Sequence, residues 1–475
     1  MSSPLITVVG ASGDVQVTVD GAQNSALYNQ ATDLSNQLSS VISTLDPQNL
    51  AAGDTTFSSG NKAGYGVITS AGSYRVAGDV QYLSIGSDAN TQPGTALDGW
   101  VNVNAYGGTT KNMTVLGGTN TGIAFRAGDQ SGQFLAGSGD NLFEGNSLST
   151  AGNWNIMTGN GDDTVNSGAG NNTISAGLGH NTIDLGSGMN YVHSDGQDTI
   201  TATAGRQSVT LSGSSSTVQL SDNSLVVDAN GSQQITVGGA STVTGGSLDY
   251  INFSGATGTV EGGQNSTISA AHGNLQTENT DSALINVSDN LTFIGGTGET
   301  TITAGHATIF GSNGLDIHVS ASQQGTIDGA GANNLFVAND GNETLDGASS
   351  AFGFQAFGNN AGTTGTQSFI GGTASDTLVA GVGNATLEGG SGAANVFGFR
   401  NSVAGADYTI QDFGSAANNS VLLVDYDYTK ASFQTDVLDK AAHSGNNTTI
   451  TLSDHSQITF VNVGTLNENQ FSGLK

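Results

Sequence analysis

The chain has 475 residues, with 72 glycines, 3 prolines and no cysteine, and 39 acidic against 9 basic side chains give a formal charge of -30. So few Lys and Arg cannot neutralise a phosphate backbone, which excludes a nucleic-acid partner and disfavours anionic lipid surfaces; with no long apolar run, membrane insertion is not expected either. Hydrophobic residues make up 36% of the chain at regular spacing, against disorder and for a thin core spread along the sequence, and the glycines keep no Gly-X-Y period.

The opening, "MSSPLITVVGASG", has no basic residue and too short an apolar stretch for a secretory signal peptide. "TVVGASGDVQVTVD" alternates apolar and polar residues and predicts a strand pair around a glycine turn. "SALYNQATDLSNQLSSVISTLDP" then sets Leu27, Ala31, Leu34, Leu38, Val41 and Leu45 on one face. That spacing predicts one helix over about 25–45, stopping before Pro47. Residues 1–100 thus read as a small α+β head, its helix packed on the sheet as a cap or side element, with a subunit contact as the alternative.

Over 101–399 a beat takes over. Ile156, Val165, Ile174, Ile183, Val192, Ile200, Val209, Val218, Val227, Ile235, Val243, Ile251, Val260 and Ile268 arrive eight or nine residues apart. It continues less evenly through Phe293, Ile302, Ile309, Ile317 and Ile327, and sharpens at Leu378, Leu387 and Val396. Val103, Met113, Ile123 and Phe143 are earlier traces. This period fits half a turn of a parallel β-solenoid, in which a short strand sends a branched side chain inward and a glycine-rich bend reverses the chain. One coil cannot bury its own faces, but a stack can. The fold class is therefore all-β: a parallel β-solenoid or β-roll with short Gly-rich bends, a small N-terminal α+β head and a C-terminal β cap over 400–475.

"GNGDDTVNSGAGNNTISAGLGHNTIDLGSGMNYVHS", Gly159–Ser194, is one nine-residue phrase said four times. It resembles the nonapeptide of RTX proteins, Gly-Gly-x-Gly-x-Asp-x-aliphatic-x. "GGTASDTLV" at Gly371 departs from that pattern only at Ala374, and "AGVGNATLE" and "GGSGAANVF" follow in step. The tail, with Asp407, Thr409, Ile410, Asp412 and Phe413 in an Asp-x-Ile-x-Asp-Phe phrase, is similar to the segment that closes RTX arrays. "NNTTITLSDHSQITFVNVGTLNENQF" resembles the family's terminal strand pair. The resemblance covers about 137–200 and 328–475. It implies type I secretion from a Gram-negative bacterium through an uncleaved signal in 400–475, and an extracellular or cell-surface location.

The resemblance also implies calcium, held between same-side bends by backbone carbonyls and the aspartate slot. Here that slot reads Asn141, Asp163, Asn172, Asn181, Asn190 and Asp198, then Asn333, Glu343, Gln367, Asp376, Ala385 and Ala394. One side stacks Asp163, Asn181 and Asp198, and the other Asn172 and Asn190. An amide oxygen is a poor substitute for a carboxylate around a hard cation. Asn, however, both donates and accepts, so Asn172, Asn181 and Asn190, stacked about 4.8 Å apart, are expected to form an amide ladder in place of metal bridges. No cofactor is required on this reading. A residual calcium site at Asp163, Asp198 and Asp376 stays open.

Catalysis finds little support. Arg126, Arg206 and Arg400 read as isolated, so no cluster of cations awaits an acidic sugar. Asp162 and Asp163 sit together in a bend, and the seven His residues are dispersed without a His-Glu-x-x-His motif. The expectation is no enzyme and no catalytic residue. The expected role is that of a secreted structural protein that self-assembles as an extracellular filament, biofilm matrix or surface layer. Its partner is itself, head-to-tail or lateral, with cell-surface polysaccharide as a second candidate. A monomeric adhesin or glycan-binding protein, a calcium-dependent S-layer protein and a polysaccharide-modifying enzyme are the alternatives.

Overall fold

A computed structural model describes residues 5–9, 14–19, 25–56, 62–77, 80–88, 90–91, 95–106, 112–118, 122–255, 257–311, 315–321, 334–338, 342–358, 365–390, 393–401 and 405–475. They form two compact units, Met1–Val243 and Thr244–Lys475. Both are built mainly of parallel β-solenoid coils.

In the first unit, Leu5–Val9 and Asp14–Thr18 form the antiparallel pair expected from their alternation, and Ser87–Asp88 joins its edge. The helix runs Ser25–Val41, and a 3-10 turn, Ile42–Thr44, carries the chain into the strand Leu45–Asn49. Pro47 therefore lies inside a strand that pairs with Ala63–Ile68, rather than just beyond a helix end. The β-branched Val41, Ile42 and Thr44 have already weakened the helix by then. Leu27, Ala31, Leu34 and Leu38 are buried in a cluster with Val15, Val17, Tyr65, Leu116 and Leu135. Leu116 and Leu135 are register neighbours on adjacent coils. The helix thus covers the apolar part of one outer coil face. Parallel coil pairing already begins at Leu45, inside the stretch read as the head.

Further along this unit the beat is a stacking register. Ile156, Ile174, Val192, Val209 and Val226 pair in turn up one strand column. Val165, Ile183, Ile200, Val218 and Ile235 do so up the other. All are buried. Val226, not Val227, points inward, because Val209 pairs with Val226 and the pleat turns Val227 to the outer face. The earlier coils carry larger interior groups: Phe125, Phe134, Phe143 and Trp154 pack together with ring centroids 5.2–5.9 Å apart.

In the second unit Ile251, Ile268, Ile285 and Ile302 stack in register. Leu275, Phe293, Ile309, Phe336, Leu378, Leu387 and Phe397 fill the interior. Phe397 takes the inward place read for Val396, since it is the register partner of Leu378. Ile327 and Asn333 lie outside the described residues. Coil pairing continues beyond residue 400. Ser420–Val424 pairs in parallel with Val396–Arg400, and Gln457–Phe460 with Asp407–Ile410. The antiparallel terminal pair is Asn447–Thr451 with Gln457–Phe460. Phe413 of the Asp-Phe phrase packs against Phe397 and Phe460. A short helix, Lys430–Asp436, is capped by Thr429 and buries Phe433 against Phe471.

Where Gly-x-Gly fades, the bends keep their left-handed positions with other residues. Ser215, Asn223 and Ser232 in the first unit, and Asn265 and Asn279 in the second, have positive φ. Asn tolerates that region best of the non-glycine residues. The beat outlives the motif because the bend geometry is kept.

Candidate functional site

The nonapeptide slot residues lie at the inner edge of each bend, all but removed from solvent. A bend breaks the strand ladder and leaves a backbone N–H that cannot stay buried unpaired. In the coils from Ile123 to Asp198 the slot side chains supply the acceptor for the coil before. On one side, Asn141 Oδ1 accepts from Ile123 N at 3.0 Å, Asp163 Oδ1 from Asn141 N at 2.7 Å, Asn181 Oδ1 from Asp163 N at 2.9 Å and Asp198 Oδ1 from Asn181 N at 2.9 Å. Ser216 and Gln233 extend the column. On the other side, Asn172 Oδ1 accepts from Trp154 N and Asn190 Oδ1 from Asn172 N, both at 2.9 Å. Above them Gln207 Oε1 accepts from Asn190 Nδ2 at 2.9 Å. The structure thus places Asn172 with Asn190, and Asn181 between Asp163 and Asp198.

The amide ladder differs in form from simple side-chain stacking. Its spine is oxygen to backbone N–H, which Asp performs as well as Asn. What distinguishes Asn is Nδ2. In Asn172 it donates to Gly170 O at 2.9 Å, Ser167 O at 3.2 Å and Asn190 Oδ1 at 3.1 Å. In Asn181 it donates to Gly177 O at 3.2 Å and Asp198 Oδ1 at 2.9 Å. Asn141 does the same toward Gly137 O, Gly139 O and Asp163 Oδ1. The NH2 group sits among bend carbonyls, beside a carboxylate at Asn141 and Asn181 and beside the next amide oxygen at Asn172, so its partial positive charge links neighbouring coils. This also explains how Asp163 and Asp198 share a column without repelling: a donating amide stands between them.

The three aspartates differ. Asp198 is satisfied at both oxygens, Oδ2 accepting from Ser194 Oγ at 2.6 Å. Asp376, in the second unit, accepts from Phe354 N at 2.6 Å and from Gly372 N at 3.1 Å. Asn395 Oδ1 accepts from Asp376 N, and Asn419 Oδ1 from Asn395 N, so the slot there is Asn395 rather than Ala394. Asp163 Oδ2 is buried without a close hydrogen bond, and the equally buried Thr158 hydroxyl is the group that acts on this carboxylate. Burial raises the Asp163 carboxyl to about 6, against the lowering effect of the bonds from Asn141 N, the Thr158 hydroxyl and the Asn141 amide. It raises Asp376 to about 7 and moves Asp198 the same way.

A second, outer ladder has no counterpart in the sequence reading. Asp140 Oδ1 accepts from Asp162 N at 2.9 Å and Asp162 Oδ1 from His180 N at 2.8 Å. Asn153 and Asn171 repeat this on the other side toward Asn171 N and Met189 N. The signal was the polar residue immediately before each slot. Asp162 is exposed while Asp163 is buried, so the adjacent acids face apart and do not form a carboxylate pair. Arg126 is not isolated: it shares an outer column with Arg75, which its distance along the sequence concealed.

A family model described as the RTX calcium-binding nonapeptide repeat, in four copies, matches residues 157–192 and 362–394. The chain is an RTX-like β-roll protein. Comparisons with curated proteins and with solved structures return no match. RTX repeats are typical of secreted Gram-negative proteins, and among the described residues no helix is long and apolar enough to cross a membrane.

Calcium is the ion this repeat family brings. A hard cation wants six to eight oxygens with several carboxylates among them. Among the described residues no group of three His, Asp or Glu side chains comes together to hold a metal. At Asn172, Asn181 and Asn190 the donor set does not fit, because Nδ2 occupies the carbonyls a cation would need. The buried Asp163 Oδ2 is the one slot oxygen of the matched 157–192 segment whose chemistry still suits a cation or a proton.

Proposed function

We propose that this RTX-like protein is a secreted structural protein that self-assembles outside the cell, as a filament, biofilm matrix or surface layer. The observation that carries the reading is the strand edge. Among the described residues Gly53–Thr56, in the first coil, pairs only with Gly72–Ala77. Ala442–Ser444, exposed throughout, pairs only with Asn447–Thr451. Edge strands attract further strands unless they are blocked, and a contact between unlike edges of two copies propagates without closing. Donor-rich bend ladders support a scaffold that keeps its register without a large core. On this reading the chain is no enzyme and its main partner is itself.

Sedimentation and negative-stain electron microscopy of the purified chain, with calcium and with chelator, test this. Regular filaments or sheets in both conditions are expected. Assembly only with calcium would favour an ion-driven surface layer. Dispersed single particles at high concentration in both would sink the self-assembly reading.

A further inference from the structure

One groove on the first unit has a chemistry unlike the rest of this acidic chain. It encloses about 310 Å³ and is lined by Gly53, Ser73, Arg75, Asn102, Asn104 and Arg126, over Ala124 and the buried faces of Tyr74 and Val103. Its walls are two outer columns of the coil stack. Ser73, Asn102 and Ala124 stand in register in one, and Arg75, Asn104 and Arg126 in the next. Ala124 is small at an outward position, and Gly53, the register partner of Tyr74, adds no side chain, so the sheet surface is hollowed there. Of the 9 basic residues in the chain, two line this groove, and among the described residues no carboxylate lines it. Asp54 and Glu144 occupy the register positions just beyond the two arginines. Arg126 Nε donates to Glu144 Oε2 at 2.6 Å, which engages one of the five guanidinium donors.

The strand across the groove reads "WVNVNAY", Trp100–Tyr106. Val101, Val103 and Ala105 are buried, while Trp100 and Tyr106 are 44% and 47% exposed. Asn104 Oδ1 accepts from Tyr106 N at 2.9 Å, which fixes the turn that presents the tyrosine. Both aromatics lie along this strand, outside the groove lining and at right angles to the Arg75–Asn104–Arg126 column. Arg75 and Arg126 lie two coils apart, about 10 Å, close to the advance of two linked sugar rings.

We propose that this groove binds a linear polysaccharide bearing carboxylate groups, a uronate-type chain. Arg75 and Arg126 take carboxylates on alternate sugars, since guanidinium forks match carboxylates in two-point contact. Asn102, Asn104 and Ser73 exchange hydrogen bonds with hydroxyls. The groove is complete within one copy, but Gly53 at its end belongs to the edge strand offered for assembly, so binding is tested on dispersed protein.

The test uses the full chain in chelator, with light scattering confirming dispersion, so that failure to assemble and failure to bind are separate results. The probes are a polygalacturonate oligosaccharide, its carboxyl-reduced neutral form and polyglutamate. Trp100 reports binding by fluorescence, because the other tryptophan, Trp154, is only 3% exposed. Binding of the charged oligosaccharide is expected, weakened about tenfold or more in both the neutral form and the Arg75→Gln/Arg126→Gln double variant. Both arginines are exposed, so the variant should melt with the unaltered chain; should it not, the preference of the unaltered chain for charged over neutral sugar still decides. No binding, undiminished binding by a folded double variant, or equal binding of polyglutamate would overturn the proposal.

Discussion

At the scale of single residues the central fact is that an amide nitrogen stands where the nonapeptide expects a cation. Asn181 shows it most plainly, as Nδ2 joins Gly177 O to Asp198 Oδ1 while Oδ1 holds Asp163 N. Asn181→Asp removes the donor and places a third carboxylate between Asp163 and Asp198. Loss of about 3 kcal/mol is expected in chelator at neutral pH, with partial recovery in millimolar calcium, both read by urea denaturation. An unchanged midpoint in chelator would show that the amide carries no such role. Asp163 gives a pH signature. Its folded-state carboxyl is raised from 3.8 to about 6 by burial, so the folded chain binds that proton more tightly than the unfolded chain. The stabilisation is complete below about pH 4 and is lost as pH rises through 6. Asp376, raised to about 7, acts in the same direction. Asp163→Asn mimics the protonated group. In chelator it should stabilise the chain by about 2 kcal/mol at pH 8 and by almost nothing at pH 4. Equal effects at both values would contradict the assignment.

At the scale of the element, the coil is limited by its bends. A Cβ on Gly170 would lie 2.1 Å from Gly152 O, and one on Gly188 2.2 Å from Gly170 O. Neighbouring coils touch backbone to backbone there, and Gly170 O also receives Asn172 Nδ2. Gly170→Ala should push the coils apart locally and cost about 2–3 kcal/mol, with faster amide exchange at Trp154 and Asn172, the N–H groups held by that ladder. Exchange unchanged at both would remove the link between bend contact and ladder. This element was the part most legible in the sequence. Spacing alone located Ile156, Ile174 and Val192 because stacking demands one branched side chain per half-coil. It missed by one residue at Val227 and Val396, where two apolar residues adjoin and only pairing register decides which points inward. The inner slot was legible from the nonapeptide, while its continuation through Gln207, Ser216 and Gln233 was not. Any side chain with an acceptor oxygen at the right reach serves there, so residue type stops being a signal.

At the scale of the molecule, a thin repetitive interior is held by many small, similar contributions, each bend bond adding about 1 kcal/mol net. Such a design suits a scaffold that keeps its form in varying ion and acid conditions. The Arg75–Arg126 groove shows what sequence reading could not reach, since it is assembled from strands whose adjacency follows from coil length rather than from local pattern. The most direct test of the whole account is thermal melting of the full chain by circular dichroism at neutral pH, with excess calcium and with excess chelator. The account predicts cooperative melting of a β-rich fold in both, with midpoints within about 5 °C of each other. Loss of the β signal at ambient temperature on chelation alone would contradict it.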